Sequence, residues 1–363
     1  MKKEQLELIT ELRHTLHTCP ELAGEEKRTK ALLIDFLKTH TTLEIVDMGR
    51  WFYAAHREGT DLPGIAFRAD FDAVPAEELP DGAAHRCGHD GHSAALCGFA
   101  LMLEGEKLGK NVFLLFQHGE EAGSGGEECC ALFDREKVDE IYAAHNLPGF
   151  PYGKVLTRPG AMACGSCGLT IRYTGAPSHA AHPEQGINPA PAVGKLLQAL
   201  PELSAAEHYS DMVLCTVIGC RMGEKAFGMS ASSAEIWLTL RAERGADLEK
   251  LRVAVTDYSA KTAEEHHLTW SHEWQDVFPA TENNVAAAKK VLTVCDGVSI
   301  HAPMRWSEDF GWYLQRCRGA FFGIGCGEEY PGLHTKEYEY PDALLPITVD
   351  AFRRLAMAAV LED

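Results

Sequence analysis

Residues 64–75 read GIAFRADFDAVP, an apolar run that ends in two aspartates, Asp70 and Asp72. Three more apolar runs of strand length lie in the same half of the chain, at 43–46, 112–116 and 141–144. Stretches with the apolar spacing of helices lie near 4–18, 26–39 and 91–105. Helices that alternate with buried strands are typical of a largely parallel sheet covered by helices. We therefore predict an α/β domain with both aspartates at the carboxyl end of a strand, where such sheets build their sites.

The sequence changes character near residue 167. Segments 169–173 and 234–241 alternate apolar and polar residues, which indicates strands with one solvated face. Two helical stretches lie among them, at 189–203 and 247–265, and the earlier pattern returns after about 277. We therefore predict that a small α+β domain with an antiparallel sheet is inserted into the larger domain. The expected boundaries are 1–166 for the first part of the larger domain, 167–276 for the inserted domain and 277–363 for the second part of the larger domain.

The bulk composition limits the function classes. The chain has 363 residues, which suits two hydrophobic cores, and a formal net charge of -19. This charge makes nucleic acid a poor partner, because affinity for nucleic acid depends on neutralising phosphates. We find neither a signal-peptide pattern nor an apolar stretch long enough to span a membrane, so no membrane partner is expected. We expect a cytoplasmic protein whose twelve cysteines are reduced and mostly structural.

The densest polar cluster is HRCGHDGH at residues 85–92. Cys87 and His89 lie on either side of a glycine, so both can point at one ion from a tight turn. Divalent metals of borderline softness accept this mixture of thiolate and imidazole ligands. The cluster therefore predicts a metal site in preference to a loop that is rich in histidine by chance.

Further candidates follow other predicted strands. Asp72 could bind a metal itself or accept the second N–H of a ligand histidine, and we favour the second role over a solvated loop carboxylate. Glu120 and Glu121 point in different directions after a buried strand, so one can bind metal while the other acts as general base. Only their placement after strands distinguishes His145 and His334 from structural histidines.

The motif GAPSHAAHP at residues 175–183 lies on a loop of the predicted inserted domain. No second metal-binding group lies near it in the sequence. A loop histidine on a separate domain can close over a metal site and stabilise the charge that develops on a carbonyl oxygen. We predict this role for His179.

Together these motifs make the chain resemble the aminoacylase, hippurate hydrolase and auxin-conjugate amidohydrolase family of two-metal, peptidase-like enzymes. The resemblance covers nearly the whole chain. Its segments are HTLHTCPELAGEE at 14–26, RADFDAVP at 68–75, HRCGHDGH at 85–92, FQHGEEAGSGG at 116–126, HNLPG at 145–149, GAPSHAAHP at 175–183, SEDFGWY at 307–313 and GLHT at 332–335.

The resemblance implies a ligand set, a reaction and an assembly. Two divalent ions, Zn, Mn, Ni or Co, would share Cys87, and the other ligands would be His89 and His145 at one site and Glu121 and His334 at the other. Glu120 would be the general base for a water molecule activated between the ions. The substrate would be a small N-acyl amino acid or related N-acyl amine. The family often dimerises through its lid domain, so a homodimer is expected.

Two departures from the family pattern concern the substrate. Gly228 stands where the family has a substrate-binding asparagine, and His118 and Gly119 replace the usual Pro-Ala before the glutamates. A dipeptidase or exopeptidase with the same metal centre is therefore the alternative function. A non-catalytic metal-binding protein is disfavoured, because Glu120 is present.

Overall fold

The computed structural model describes residues 1–361 of the chain and divides them into two compact units. The larger unit consists of Met1–Met162, Thr281–Pro303 and the described residues from Glu308 onward. The smaller unit consists of Ala163–Ala280 and Met304–Ser307. The boundaries expected from the sequence, 166/167 and 276/277, differ from these divisions by a few residues.

An eight-stranded sheet forms the centre of the larger unit. Its strands are β1 (Glu44–Asp47), β2 (Phe52–His56), β3 (Gly64–Asp70), β6 (Asn111–Gln117), β7 (Glu140–Pro148), β8 (Val155–Thr157), β15 (Val298–Ser299) and β16 (Arg318–Gly327). Their order is β1-β2-β6-β3-β7-β16-β8-β15. The four central strands, β6, β3, β7 and β16, run parallel, whereas β1 and β2 pair antiparallel. Two short pairs complete the strands of this region, β4 (Val74–Pro75) with β5 (Ala83–Ala84) and β9 (Gly160–Ala163) with β14 (Thr281–Asn283).

Helices pack against this sheet and against each other. They are α1 (Lys3–His17), α2 (Lys27–His40), α3 (His89–Leu103), α4 (Gly125–Cys129), α5 (Leu132–Arg135), α8 (Val285–Val294), α9 (Gly311–Leu314) and α10 (Leu345–Met357). Helix α3 is almost entirely buried and contacts α1, α10 and β3. A helix that is apolar on all sides is stable only inside a core. The burial of α3 fixes its first turn, which carries His89 and His92, against the sheet.

The smaller unit is built on a four-stranded antiparallel sheet. Its strands are β10 (Gly165–Thr174), β11 (Val213–Met222), β12 (Ser233–Ala242) and β13 (Thr269–Phe278), in the order β11-β12-β10-β13. Helices α6 (Ala190–Leu203) and α7 (Gly245–Glu265) pack on the sheet and enclose a separate apolar core. Ile171 and Ile236 face each other across β10 and β12 within that core.

The predicted fold class is confirmed: a mostly parallel sheet with helices, and a separate antiparallel sheet. Three local predictions need correction. The predicted lid boundary at 276 falls inside β13, because pairing with β10 continues to Phe278. His145 lies within β7 and not at its end, and His89 begins α3 instead of preceding it. Among the described helices, none is both long and apolar enough to cross a membrane.

Candidate metal centre

Three neighbouring parallel strands bring the candidate residues to one edge of the large sheet. Asp70 ends β3, and Asp72 follows it. Glu120 and Glu121 follow β6 on one side of β3, and His145 lies late in β7 on the other side. Because the carboxyl ends of parallel strands meet at the same edge, residues distant in sequence become neighbours there.

Two groups of potential ligands share the sulfur of Cys87. One group is Cys87, His89 and His145, and the other is Cys87, Glu121 and His334; the ligand atoms of each group lie within 4.8 Å of one another. Cys87 Sγ is 3.5 Å from His145 Nε2, and His334 Nε2 is 3.3 Å from Glu121 Oε1. The arrangement suits two ions with a common thiolate ligand.

An unpartnered nitrogen of the site fits a divalent metal ion. His89 Nε2 is a buried polar atom without a hydrogen-bond partner. Burying such an atom unpaired is costly, and a cation between the ligands would satisfy it. Thiolate, imidazole and carboxylate together form a donor set for ions of borderline softness.

The ligands differ in charge state before any ion binds. Burial alone would lower the pKa of His89, but the carboxylates of Asp70 and Asp72 outweigh it and raise this pKa to about 10. Burial raises the pKa of the Cys87 thiol well above its usual value, and nearby glutamates raise it further. Burial instead holds the pKa of His145 well below its usual value. Protons must therefore leave Cys87 and His89 when metal binds.

Gly88 allows Cys87 and His89 to converge. Its φ of +102° is in the left-handed region that favours glycine. A Cβ at this position would lie 2.4 Å from Asn146 Oδ1, well inside van der Waals contact. The glycine between the two ligands is therefore required both by the backbone and by the close approach of Asn146.

His334 reaches the site from a loop after β16. It is one of the few residues other than glycine with positive φ, at +65°, and its N–H donates to the carbonyl of Arg86 at 2.8 Å. Strained backbone of this kind persists only where surrounding contacts hold it, and it is concentrated at functional sites. The bond ties the His334 loop to the residue that precedes Cys87. The side chain of His334 is 53% exposed.

Asp72 is a buried link between the two ligand groups. Its Oδ1 lies 3.0 Å from His89 Nδ1, and its Oδ2 accepts the N–H of Glu121 at 2.9 Å. The side chain is fully buried, so it is not a solvated loop carboxylate. It orients one ligand of each group, and it leaves His89 Nε2 directed at the other ligands.

The supporting roles of other polar residues around the site were not predicted from the sequence. The ring nitrogens of His92 lie 2.6 Å from Asp70 Oδ1 and 2.5 Å from Asn146 Oδ1. Asn146 in turn donates to the carbonyl of Cys87 at 2.9 Å. Asp70, His89 and His92 also lie close enough to hold an ion, but both nitrogens of His92 are occupied by these contacts. We therefore interpret His92 and Asn146 as supports for Cys87.

Arg68 occupies the middle of β3 and is fully buried among carboxylates. Its guanidinium contacts Asp70 at 2.7 Å, Glu308 at 2.9 Å and Asp309 at 2.8 Å. Buried charges persist only when they are paired. Since Asp309 and Glu308 belong to the SEDFGWY motif, this ion cluster explains why that motif lies beside the site, which its sequence alone did not indicate.

Glu120 has the environment of a proton-transferring group. It is buried, and burial together with the carboxylates of Glu308 and Glu121 raises its pKa well above the usual range. In Glu121, burial also favours the neutral form, but His334 and His89 outweigh it and lower the pKa. The pKa of Glu120 is therefore raised and that of Glu121 is lowered, as expected if the two adjacent glutamates have separate roles.

His179 lies in the smaller unit, apart in the chain from the ligand groups described above. It is exposed on the loop after β10 and forms an isolated antiparallel bridge with Met229. The carbonyl of Gly228 accepts the N–H of Ala180 at 3.0 Å. The segment in which glycine replaces the family asparagine is thus bonded directly to the His179 loop.

Comparisons with known proteins identify relatives of this chain. Residues 66–358 match the model of peptidase family M20/M25/M40. A putative amidohydrolase of Bacillus subtilis, YhaA, is 29% identical, with 90% of this chain and 87% of that protein covered. The hippurate hydrolase of Campylobacter jejuni is 27% identical, with 95% of each chain covered.

Solved structures share the fold. A putative aminohydrolase from methicillin-resistant Staphylococcus aureus has a TM-score of 0.89 at 23% identity, covering 98% of this chain and 97% of that one. A Bacillus subtilis protein, YXEP, described as a dinuclear metal-binding peptidase, has a TM-score of 0.81 at 22% identity and 98% coverage of both chains. Since the family model spans most of the sequence and includes every candidate ligand, the chain belongs to peptidase family M20/M25/M40.

Proposed function

We propose that this protein is a metal-dependent amidohydrolase that cleaves the amide bond of a small N-acyl amino acid. The observation that carries the proposal is the pair of ligand groups that share Cys87, with the buried carboxyl group of Glu120 beside them. The names of relatives support the substrate class, because hippurate and N-acetyldiaminopimelate are both N-acyl amino acids. An IAA-amino acid hydrolase of Arabidopsis thaliana, 29% identical over 94% of this chain, is a third relative of this kind.

Five side chains would hold two divalent ions in this proposal: Cys87, His89, Glu121, His145 and His334. Cys87 would belong to both sites, His89 and His145 to one, and Glu121 and His334 to the other. When bound, such ions lower the pKa of a water molecule and polarise a carbonyl oxygen. The mixed sulfur, nitrogen and oxygen donors suit Zn, Mn, Ni or Co better than Mg or Ca.

Glu120 would act as the general base and then as the general acid. Its buried carboxylate accepts the proton of the attacking water and later returns it to the leaving amine nitrogen, so the carboxyl group ends in its starting state. Burial and neighbouring carboxylates raise its pKa in the absence of ions, and the positive charge of two bound ions would lower it again towards the range in which a general base works at neutral pH. The products are a carboxylic acid and a free amino acid.

A pair of variants tests the division of labour between the glutamates. Glu120→Gln keeps the size of the side chain but cannot take up a proton, so it should retain both ions and lose nearly all turnover. Glu121→Gln removes a charged ligand, so it should lose one ion and regain part of its activity when metal is added in excess. Metal content and turnover are measured side by side on the two proteins. Loss of metal from the Glu120 variant instead would reverse the assignment.

The substrate class is tested with a panel. N-acetyl, N-benzoyl and longer N-acyl amino acids are compared with dipeptides, with Zn, Mn, Co and Ni added separately. We expect turnover of N-acyl amino acids to exceed that of dipeptides. Faster hydrolysis of dipeptides would favour the alternative, a dipeptidase with the same metal centre.

His179 belongs to the proposal as a donor to the developing oxyanion. Its exposed position on a loop of the smaller unit leaves the ring accessible to a substrate. His179→Ala should reduce turnover by about 100-fold or more without changing the metal content, as loss of an oxyanion donor does. His182→Ala on the same exposed loop is the matched control. Equal activity of the two variants would make His179 a structural loop residue.

The expected homodimer and the cytoplasmic location are further parts of the proposal. β11 is an edge strand of the smaller unit with exposed apolar side chains, among them Val217, Ile218 and Met222. Unpaired apolar edges are normally covered, and a second copy pairing along β11 would cover them. Ile218→Glu should give monomers in light scattering. Val253→Glu, at an exposed position of α7, should not. A monomeric wild-type protein would contradict the dimer.

The proposed cytoplasmic location is supported by the cysteines. All twelve are free thiols, which agrees with a reducing compartment.

A further inference from the structure

Residues 21–26, part of the HTLHTCPELAGEE motif, contact two loops of the candidate centre. Leu22 forms a parallel bridge with Ala73, and the N–H of Ala73 donates to the carbonyl of Glu21 at 2.9 Å. Ala73 directly follows Asp72. The 21–26 segment is therefore hydrogen-bonded to the chain that holds the buried link between the ligand groups.

The second contact is made by the side chain of Glu26. Its Oε1 accepts the N–H of Gly119 at 2.8 Å, and the residue is only 5% exposed. Gly119 precedes Glu120, and the N–H of Glu121 on the other side is held by Asp72 at 2.9 Å. The residues on either side of Glu120 thus both donate their backbone N–H to a buried carboxylate.

Glu26 is available for this contact because another residue caps its helix. Glu26 is the N-cap residue of α2, yet its side chain accepts no backbone N–H of the first turn. Glu21 accepts instead, from the N–H of Thr29 at 2.8 Å and from the Oγ1 hydroxyl of Thr29 at 2.9 Å. Of the three glutamates of the motif, Glu21 therefore caps the helix, and Glu26 is left to contact Gly119.

Gly119 needs an external restraint. Its φ is +59°, and its carbonyl accepts the N–H of Gly125 at 3.2 Å to close the loop. Glycine has more backbone freedom than any other residue, so a glycine next to the proposed base allows that base to move unless its peptide is held. Gly125 holds the carbonyl of Gly119 and Glu26 holds its N–H, so the peptides on both sides of this glycine are restrained.

We propose that Glu26 is a positioning residue that fixes Glu120 through the hydrogen bond from Gly119. This inference rests on the proposed function, because it takes Glu120 to be the base. The carboxylate of Glu26 acts only through the backbone. A displacement of a reacting group by about 1 Å can reduce turnover by about 100-fold, so a hydrogen bond one residue away is sufficient to affect the rate.

Two variants of Glu26 separate the hydrogen bond from the charge. Glu26→Gln keeps the length and an accepting oxygen, so kcat should stay within about threefold of wild type. Glu26→Asp keeps the charge, but it is one methylene too short to reach Gly119. Its kcat should fall by about 10- to 100-fold, with KM within twofold and metal content unchanged. Hydrogen exchange of the Gly119 amide should become faster in the Asp variant only. Glu25→Gln and Glu25→Asp at the exposed neighbouring position are the matched controls.

Several results would overturn the inference. Wild-type kcat and amide exchange in the Asp variant would remove the need for the hydrogen bond. An equal loss in the Gln variant would assign the effect to charge, and a parallel loss of metal would make Glu26 a structural residue of the whole centre. If wild-type protein hydrolyses no N-acyl amino acid, the proposed function fails, while amide exchange at Gly119 still decides whether Glu26 holds this loop.

Discussion

Replacing Asp72 with asparagine should weaken metal binding at both candidate sites at once. The fully buried carboxylate contacts His89 Nδ1 at 3.0 Å through one oxygen and accepts the N–H of Glu121 at 2.9 Å through the other. Asparagine has a single carbonyl oxygen, so it can accept only one of the two bonds, and its amino group then faces the other donor. The bond that remains is weakened as well, because its acceptor is no longer charged. One ligand of each group depends on Asp72.

The size of the effect follows from these bonds. A hydrogen bond to a charged group contributes about 1.5–3 kcal/mol. At about 1.4 kcal/mol per factor of ten, this corresponds to roughly 10- to 150-fold in each dissociation constant. Loss of a residue that supports a metal ligand typically costs about 10- to 100-fold in affinity, which agrees with that range.

Competition with a chromophoric chelator measures both dissociation constants. The matched control is Asp61→Asn, which removes a charge of the same kind from an exposed position. Two dissociation constants within about twofold of wild type would refute the role of Asp72. A loss confined to one ion would refute its role as a link between the groups.

Two further predictions concern the ligands themselves. In the metal-free protein both Cys87 and His89 hold protons at pH 7, so the ion that binds them should displace two; affinity should rise with pH by about 100-fold per unit while both remain protonated. Calorimetry in buffers of different ionisation enthalpy counts the protons, and release of fewer than one would contradict these charge states. Gly88→Ala should destabilise the protein by about 1–3 kcal/mol, because left-handed backbone and contact with Asn146 oppose a Cβ. Denaturant unfolding measures this against Gly105→Ala, where φ is also positive but nothing lies within 4 Å of the new atom.

Local patterns in the sequence were sufficient for the central strands of the fold. β3, β6 and β7 are continuous apolar runs because both of their faces are buried, and such runs are visible without any neighbour. β2 is almost as fully buried, yet no strand was predicted there. β13 is an exposed edge strand with several polar and charged residues, so its sequence resembles a loop, and the predicted domain boundary consequently cut through it.

The candidate site shows the same division between local and distant information. Clusters such as Cys87 with His89 can be recognised in the sequence, because the candidate ligands lie close together in the chain. The contacts of Arg68 with Asp309 and of Glu26 with Gly119 join positions 241 and 93 residues apart. The spacing of residues in the sequence does not indicate such pairs, so the supporting residues were identified only from the structure. The opposite pKa shifts of Glu120 and Glu121 likewise depend on neighbours from other strands and loops.

The exposed, left-handed position of His334 has a consequence for how the protein would exchange its ions with the surroundings. An ion held by Cys87, His89 and His145 is enclosed by side chains that are at most 7% exposed, so no ligand can swing away without disturbing the core. An ion held by His334 can lose that ligand by a side-chain rotation into solvent. In the proposed two-ion site, the second ion would therefore be kinetically labile and the first inert. Brief dialysis against a chelator would yield a half-loaded protein, and the metal most abundant in the medium would refill the emptied position.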